Sequence, residues 1–205
     1  MIWYQIRRAF AFGRVKHPDL EPFLTWVPLA IGLALSVICQ LLPVRPQLTG
    51  DGSVSRHMLT VFAILPGFYI AALSAIATFS REEMDFEMPN PAPKLILRTR
   101  GRDEEVSLTF RMFLSHMFSY LTALSFVAVF LFVAAELLAP SAKVLLNKVP
   151  DELIISTIRV SVREACDQLL SGGYLFLSFW FAAKIVLTTM IGLYFLAERI
   201  HRPNA

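Results

Sequence analysis

The sequence has few charged residues for its length. Of its 205 residues, 17% are Asp, Glu, Lys or Arg, whereas 56% are hydrophobic, and the mean hydropathy is +0.57. A soluble domain carries about 25% charged residues. The deficit argues against an ordinary water-soluble domain, and it predicts that most of the chain is solvated by a lipid bilayer.

Cysteine and catalytic motifs are also scarce. Cys39 falls in an apolar stretch and Cys166 in a predicted loop, so we expect two unpaired thiols, with a Cys166 disulfide between two copies as the alternative. The sequence has no H-E-x-x-H zinc motif, no G-x-S-x-G elbow and no phosphate-binding glycine loop. We therefore expect a non-enzymatic protein with no catalytic residues, no metal and no cofactor.

Four long apolar stretches dominate what is present. A transmembrane helix needs about 20 apolar residues to cross the hydrocarbon core of a bilayer. The stretches that meet this length are 23–42, 58–79, 113–138 and 174–197. The first is too long for a signal peptide and lacks a small-residue cleavage site, so we expect the N-terminus to be retained. The sequence predicts an all-α integral membrane protein with one domain, 1–205, and four transmembrane helices.

Basic residues indicate the orientation of these helices. Segments 1–20, 80–112 and 198–205 together hold twice as many lysines and arginines as the other two connections. Because basic residues stay on the cytoplasmic side, both termini and the loop 80–112 are predicted to be cytoplasmic. A short chain is typical of bacteria, which would place the protein in the inner membrane with 139–173 in the periplasm.

The N-terminal segment 1–20 has the composition of a membrane-interface segment. Trp3 and Phe10 are amphipathic or apolar anchors, and Arg7 and Arg8 are attracted to anionic lipid. The segment is interpreted as an orienting anchor, with a lipid sensor as the alternative.

One face of the second apolar stretch carries only small residues. Gly67, Ala71 and Ala75 recur every four residues, a pattern that lets two helix backbones approach closely in lipid. We expect this face to pack against another helix, either within the chain or in a homo-oligomer.

The predicted cytoplasmic loop contains a possible β-hairpin. Alternating residues at 95–99 and 106–110 flank a turn-like 100–104, which favours two short strands. An isolated hairpin is marginally stable in water, so we expect a partner protein or a sister subunit to cover it. The basic side chains here are interpreted either as orienting residues or as a docking surface for an acidic partner. They are Arg98, Arg100, Arg102 and Arg111.

The predicted periplasmic connection has helical periodicity. Apolar residues recur every three or four positions from a helix start near Pro150 up to the break at 171–173. The pattern predicts an amphipathic helix that lies on the outer leaflet or across the mouth of the bundle.

Lys184 is the one basic residue inside a predicted transmembrane helix. A lysine at mid-depth is costly, and the Cα–Cβ bond of Lys184 tilts toward the outer face. Glu136 lies near the outer end of the preceding helix, so the two side chains are expected to pair. Alternatively, Lys184 responds to the membrane or lines a polar cavity.

The loop exit resembles a known family. It reads Leu108-Thr109-Phe110-Arg111-Met112-Phe113-Leu114, followed by Phe118-Ser119-Tyr120-Leu121. With the length, the four helices and the basic start, this layout resembles the membrane subunit of the bacterial Kiwa anti-phage defence system. The resemblance implies an inner-membrane homo-oligomer, a tetramer, that detects infection. It also implies a soluble cytoplasmic partner that binds DNA, while this chain itself binds no nucleic acid.

The leading functional hypothesis is a membrane sensor or anchor that holds a cytoplasmic effector through the loop 80–112 and responds to envelope disturbance. The alternative is a small pore-forming protein that depolarises the membrane, with Lys184 facing the lumen. A membrane enzyme or transporter subunit ranks third.

Overall fold

The computed structural model describes residues 7–18, 20–78, 82–88, 91–99, 102–147, 152–155 and 158–199. Within these ranges, four helical segments are long and apolar enough to cross a membrane. They are Leu20–Leu41, Val54–Thr78, Phe110–Leu146 and Glu164–Ala197. Each contains one of the predicted stretches or nearly all of it, so the expectation of four such helices is confirmed.

The elements follow one another in a simple order. The helices are α1 (Leu20–Leu41), α2 (Val54–Phe62), α3 (Leu65–Thr78), α4 (Phe110–Asn147) and α5 (Val162–Tyr194). The strands are β1 (Lys94–Thr99), β2 (Arg102–Ser107), β3 (Glu152–Ile155) and β4 (Ile158–Ser161). Short 3₁₀ turns occupy Ala11–Arg14 and Glu82–Asp85, and a π-helical turn at Phe195–Arg199 ends α5.

The second span is divided into α2 and α3. Ser53 caps α2 by accepting a hydrogen bond from the Arg56 amide at 3.2 Å. The helix stops at Phe62 because Pro66 has no N–H to donate to the Phe62 carbonyl and its ring would clash there. The Pro66-Gly67 pair predicts a local bend in this stretch, and the structure shows a turn at residues 63 and 64 within one candidate span, Val54–Thr78.

The prediction of an amphipathic helix between Pro150 and residue 171 is wrong for its first half and for its end. Glu152–Ile155 and Ile158–Ser161 pair as an antiparallel hairpin, and α5 begins at Val162 and continues through 171–173 without a break. The β-branched residues between 154 and 162 explain the strands, because such side chains fit an extended chain better than a helix. The glycines are tolerated because apolar residues continue on both sides of them, as is common in membrane helices.

Helix α4 lies at the centre of the bundle. Its buried residues contact α2 and α3 on one side and α5 on another. Phe132 stacks on Phe62 with ring centroids 5.6 Å apart, and Phe118 lies 6.1 Å from Tyr69. Aromatic contacts of this kind join the divided second span to the continuous third one.

Helix α1 packs antiparallel along α5. A Cβ atom at Gly32 would lie 3.0 Å from the backbone of Trp180, so a larger residue there would push the two helices apart by a few tenths of an ångström. Further along, Ser36 Oγ donates to the Gly172 carbonyl at 3.0 Å, and Gln40 Nε2 donates to Ser171 Oγ at 3.2 Å. These contacts fix the register between the two helices.

The packing at Gly32 leads to a testable difference between two glycines. Gly32→Val should lower the stability of the protein by about 1–3 kcal/mol, because the added methyl groups overlap the α5 backbone. Gly173→Val in α5 is the matched control, since a Cβ atom there meets nothing within 4 Å. Thermal unfolding in mild detergent measures both. Equal losses would show that the α1–α5 contact is not tight.

Candidate functional site

One end of the bundle carries a structure built from three chain segments, which we call the hairpin platform: residues 11–16, 84–88 and 94–110, of which 100 and 101 lie outside the described ranges. Strands β1 and β2 pair antiparallel, with Leu95 opposite Val106. Lys16 adds a bridge on the other edge of β1, where it exchanges backbone hydrogen bonds with Lys94 at 3.0 and 3.2 Å. The N-terminal segment therefore pairs with the hairpin at a single residue.

The platform is covered by the chain itself. Leu95 and Leu108 are 2% and 0% exposed, and they belong to one apolar cluster with Phe12, Met84 and Met88. The Phe12 ring also lies 5.3 Å from the Phe113 ring of α4. The expectation that a partner must cover the hairpin is wrong, because the sequence pattern did not reveal that segments 11–16 and 84–88 fold over it.

Arg111 attaches the platform to the bundle. Its Nε and Nη2 donate to the two carboxylate oxygens of Asp85 at 2.7 and 3.2 Å, and its Nη1 donates to the Ile76 carbonyl at 3.0 Å. A bidentate pair of this kind is both strong and directional. Hydrogen bonds from Arg111 hold the pKa of Asp85 below its ordinary value. Arg111 thus joins α3, segment 84–88 and α4 within the chain.

A second ion pair joins the N-terminal segment to β2. Lys16 Nζ lies 2.7 Å from Glu105 Oε1, with both side chains well exposed. The hydrogen bond and charge of Lys16 lower the pKa of Glu105, and the same contact raises the pKa of Lys16. An exposed pair contributes little to stability. Its effect is to favour one position of residue 16 beside the hairpin.

One of the predicted docking arginines lies opposite an acidic residue in the hairpin. In the strand register, Arg98 faces Asp103 and Thr99 faces Arg102. Strand β2 also contains Glu104 and Glu105, both exposed. The backbone of Arg98 and Arg102 is described but their side chains are not, and Arg100 lies outside the described ranges. The hairpin therefore carries charges of both signs, which an interpretation based on its arginines alone overlooked.

The outer edge of β2 has no pairing partner among the residues that the structure places. Lys94 directs its N–H and C=O groups away from β2 to reach Lys16. Along a strand, successive residues point their N–H and C=O groups to opposite edges, and in an antiparallel pair two opposed residues either both point these groups at each other or both point them away. Lys94 lies opposite Ser107, so the N–H and C=O groups of Ser107, Glu105 and Asp103 point away from β1. The sequence pattern could not indicate this free edge, since it depends on which side the N-terminal segment occupies.

Lys184 and Glu136 do not form the predicted pair. Lys184 Nζ lies 5.3 Å from the centroid of the Trp180 ring, whereas Glu136 accepts hydrogen bonds from the Gly50 amide at 3.0 Å and Ser53 Oγ at 3.1 Å. The packing of α4 against α5 explains the separation. The Phe132 ring lies 6.5 Å from Tyr174 and the Phe113 ring 4.9 Å from Phe195. Lys184 lies between these two contacts, whereas Glu136 lies beyond Phe132, at the end of the bundle opposite the platform.

A small pocket of about 40 Å³ surrounds Lys184. Glu21, Thr25, Tyr120 and Thr188 contribute to its lining. The carboxylate of Glu21 forms no ion pair with Lys184. The half-buried ammonium group is thus enclosed between α1 and α5 of a single subunit, which weakens the case for a lysine that lines a shared pore.

The other singled-out residues lie on the surface or outside the described part. Gly67 and Ala71 are exposed and Ala75 is half-buried, and the oligomer contact of this face stays a prediction. Arg7 is exposed, Arg8 is half-buried, and the Phe10 ring lies 6.3 Å from that of Tyr120. Trp3 lies outside the described ranges. Both cysteines are free thiols.

Compared with known proteins, the chain matches no family model, no curated protein and no solved structure. What the fold defines is a class: a helical protein with four segments suited to crossing a membrane and a hairpin platform at one end of them. The resemblance to the Kiwa membrane subunit stays a prediction.

The attachment at Asp85 should depend on pH. A carboxyl group whose pKa is lowered by folding stabilises the folded state above its unfolded pKa of about 4, and this contribution is lost as the pH falls through the lowered value. Asp85→Asn should loosen segment 84–88 already at pH 7. Hydrogen exchange, corrected for intrinsic rates, measures this loosening. Glu87→Gln is the control, and unchanged protection in Asp85→Asn would refute the role of the pair.

Lys184 is expected to cost stability. A half-buried ammonium group without a carboxylate partner is less favourable in a membrane helix than a thioether. Lys184→Met should therefore stabilise the protein by about 1 kcal/mol or more, whereas Lys184→Arg should not. Thermal unfolding in detergent distinguishes them. A loss of stability in Lys184→Met alone would mean that the cation is held by favourable contacts.

Proposed function

We propose that this protein is a non-enzymatic membrane anchor that holds a soluble effector protein at the membrane surface through its hairpin platform. The observation that carries the proposal is the free outer edge of β2 on an otherwise self-covered platform. The chain stabilises this small structure with its own apolar cluster and the Arg111–Asp85 pair. An ordered edge next to the membrane is a ready template for a partner strand.

The chemistry of the edge favours a particular kind of partner. Leu95 points into the bundle, while Ile96 on the opposite face is 51% exposed. Glu104 and Glu105 are exposed on β2, where acidic side chains oppose random pairing with other strands. A basic, extended segment of the effector would satisfy the backbone groups and compensate these charges.

The remaining parts of the proposal rest on the sequence. The excess of basic residues in 1–20 and 80–112 supports a cytoplasmic platform and a bacterial inner-membrane location. The exposed Gly67 and Ala71 support a homo-oligomer. The resemblance to the Kiwa subunit supports a role in anti-phage defence, in which disturbance of the envelope changes how the effector is held.

A pair of substitutions at one position tests docking on the β2 edge. Glu105→Pro removes the outward N–H without breaking a β1–β2 hydrogen bond, whereas Glu105→Ala keeps that N–H and loses only the Lys16 pair. Affinity purification in mild detergent measures how much soluble partner is retained. We expect about tenfold less partner with Glu105→Pro, because one backbone hydrogen bond is lost and the proline ring clashes with the added strand. Glu105→Ala should cause a clearly smaller loss, because it removes one carboxylate that attracts a basic segment and leaves the backbone N–H in place.

The double charge reversal Arg98→Glu with Arg102→Glu separates this arrangement from docking of an acidic partner. A basic segment on β2 should be retained or enriched by the reversal, whereas an acidic partner should be released. Full retention by Glu105→Pro would refute docking on the edge. The absence of any stoichiometric soluble partner from the wild-type protein would refute the anchor function itself.

A further inference from the structure

A cavity of about 630 Å³ lies at the end of the bundle opposite the hairpin platform. Its walls are the last residues of α1, the connection 45–49, the second half of α4 and the first turns of α5. Cavities that bind small molecules measure about 300–1,000 Å³. The cavity is therefore large enough to hold a substantial part of an organic ligand.

The connection that closes this cavity is held in place by Glu136. The carboxylate accepts hydrogen bonds from the Gly50 amide and from Ser53 Oγ. Gly50 and Gly52 have positive φ angles of 101° and 73°, which the tight path of the connection requires. This wall of the cavity is thus held in place by specific contacts between residues that are 83 and 86 positions apart in the sequence.

The lining of the cavity is divided between apolar and polar groups. Leu138, Ala142, Leu146 and Leu170 contribute an apolar surface from α4 and α5. Outside the cavity, the neighbouring apolar side chains of the same helices remain highly exposed. They include Leu137 at 73%, Leu145 at 64% and Leu169 at 75%. The apolar surface is therefore continuous with the part of the helices that faces the hydrocarbon of a bilayer.

Two opposite charges line the same cavity. Arg45 belongs to the connection and Asp167 to α5, and both side chains are exposed. Within the part of the chain that the structure covers, neither forms an ion pair, with the other or with any third group. A cation and an anion that face one cavity without neutralising each other suit a ligand that itself carries both charges.

We propose that this cavity binds one zwitterionic phospholipid, with the phosphate at Arg45, the ammonium group at Asp167 and one acyl chain along Leu138, Ala142 and Leu170. The cavity encloses the headgroup and the upper part of the chain, and the rest of the lipid lies against the exposed leucines. Charge complementarity and the division of the lining select this occupant over a soluble ion or a wholly apolar molecule. The site does not depend on the proposed anchor function.

Native mass spectrometry of the purified full-length protein tests the site directly. Delipidated protein is mixed with equal amounts of phosphatidylethanolamine and phosphatidylglycerol, and the retained lipids are counted. We expect one phosphatidylethanolamine per subunit, retained at least fivefold over phosphatidylglycerol. Ala142→Phe fills the cavity and should abolish retention, whereas Ala134→Phe, exposed on the same helix outside the lining, should not.

Two milder variants keep the test decisive if Ala142→Phe misfolds. Asp167→Asn should remove the preference for phosphatidylethanolamine, and Arg45→Gln should weaken both lipids. Equal retention of the two lipids by the wild type would overturn the zwitterionic assignment. An oligomer that carries no lipid and dissociates in Ala142→Phe would show that a second subunit occupies the cavity, which also overturns the proposal.

Discussion

Contact between α1 and α5 at Gly32 fixes the positions of both ends of α1. At the start of α1, the contact leaves residue 16 beside β1, where its backbone pairs with Lys94. At the other end, it leads the chain through Arg45 into the connection that closes the cavity. A larger residue at position 32 would meet the Trp180 backbone and shift α1 against α5, so this close approach connects the platform at one end of α1 with the cavity at the other.

The platform illustrates how a short chain can stabilise a structure outside its membrane helices. Each exposed strand edge must be paired, charged or covered if it is not to associate at random. Lys16 pairs with the outer edge of β1, and the apolar cluster around Leu95 holds the hairpin against the bundle. Among the described residues, the acidic outer edge of β2 has no pairing partner. In the proposed anchor, this edge would be the docking site for the effector.

The helices were predictable from the sequence because a bilayer demands long apolar segments whatever their packing. The hairpin at β1 and β2 was predictable from alternation and turn residues, and the interruption of the second span from Pro66. Contacts between segments that are distant in the sequence were not predictable. Lys184 and Glu136 were predicted to pair because both lay near each other in predicted membrane helices, but their relative depths depend on how α4 packs against α5. The spacing of apolar residues predicted a helix after Pro150, although the β-branched residues there favour strands. Arg111 was interpreted as a docking residue because the sequence does not indicate that Asp85 is its partner.

Hydrogen exchange of β2 with and without the bound effector tests the central claim most directly. The amides of Glu105 and Ser107 point away from β1, so they should exchange rapidly in the protein alone. In the complex they should be strongly protected, while the amide of Val106, already bonded within the hairpin, should change little. If the amides of Glu105 and Ser107 exchange equally fast in both states, the effector does not bind along this edge and the account of the platform is contradicted.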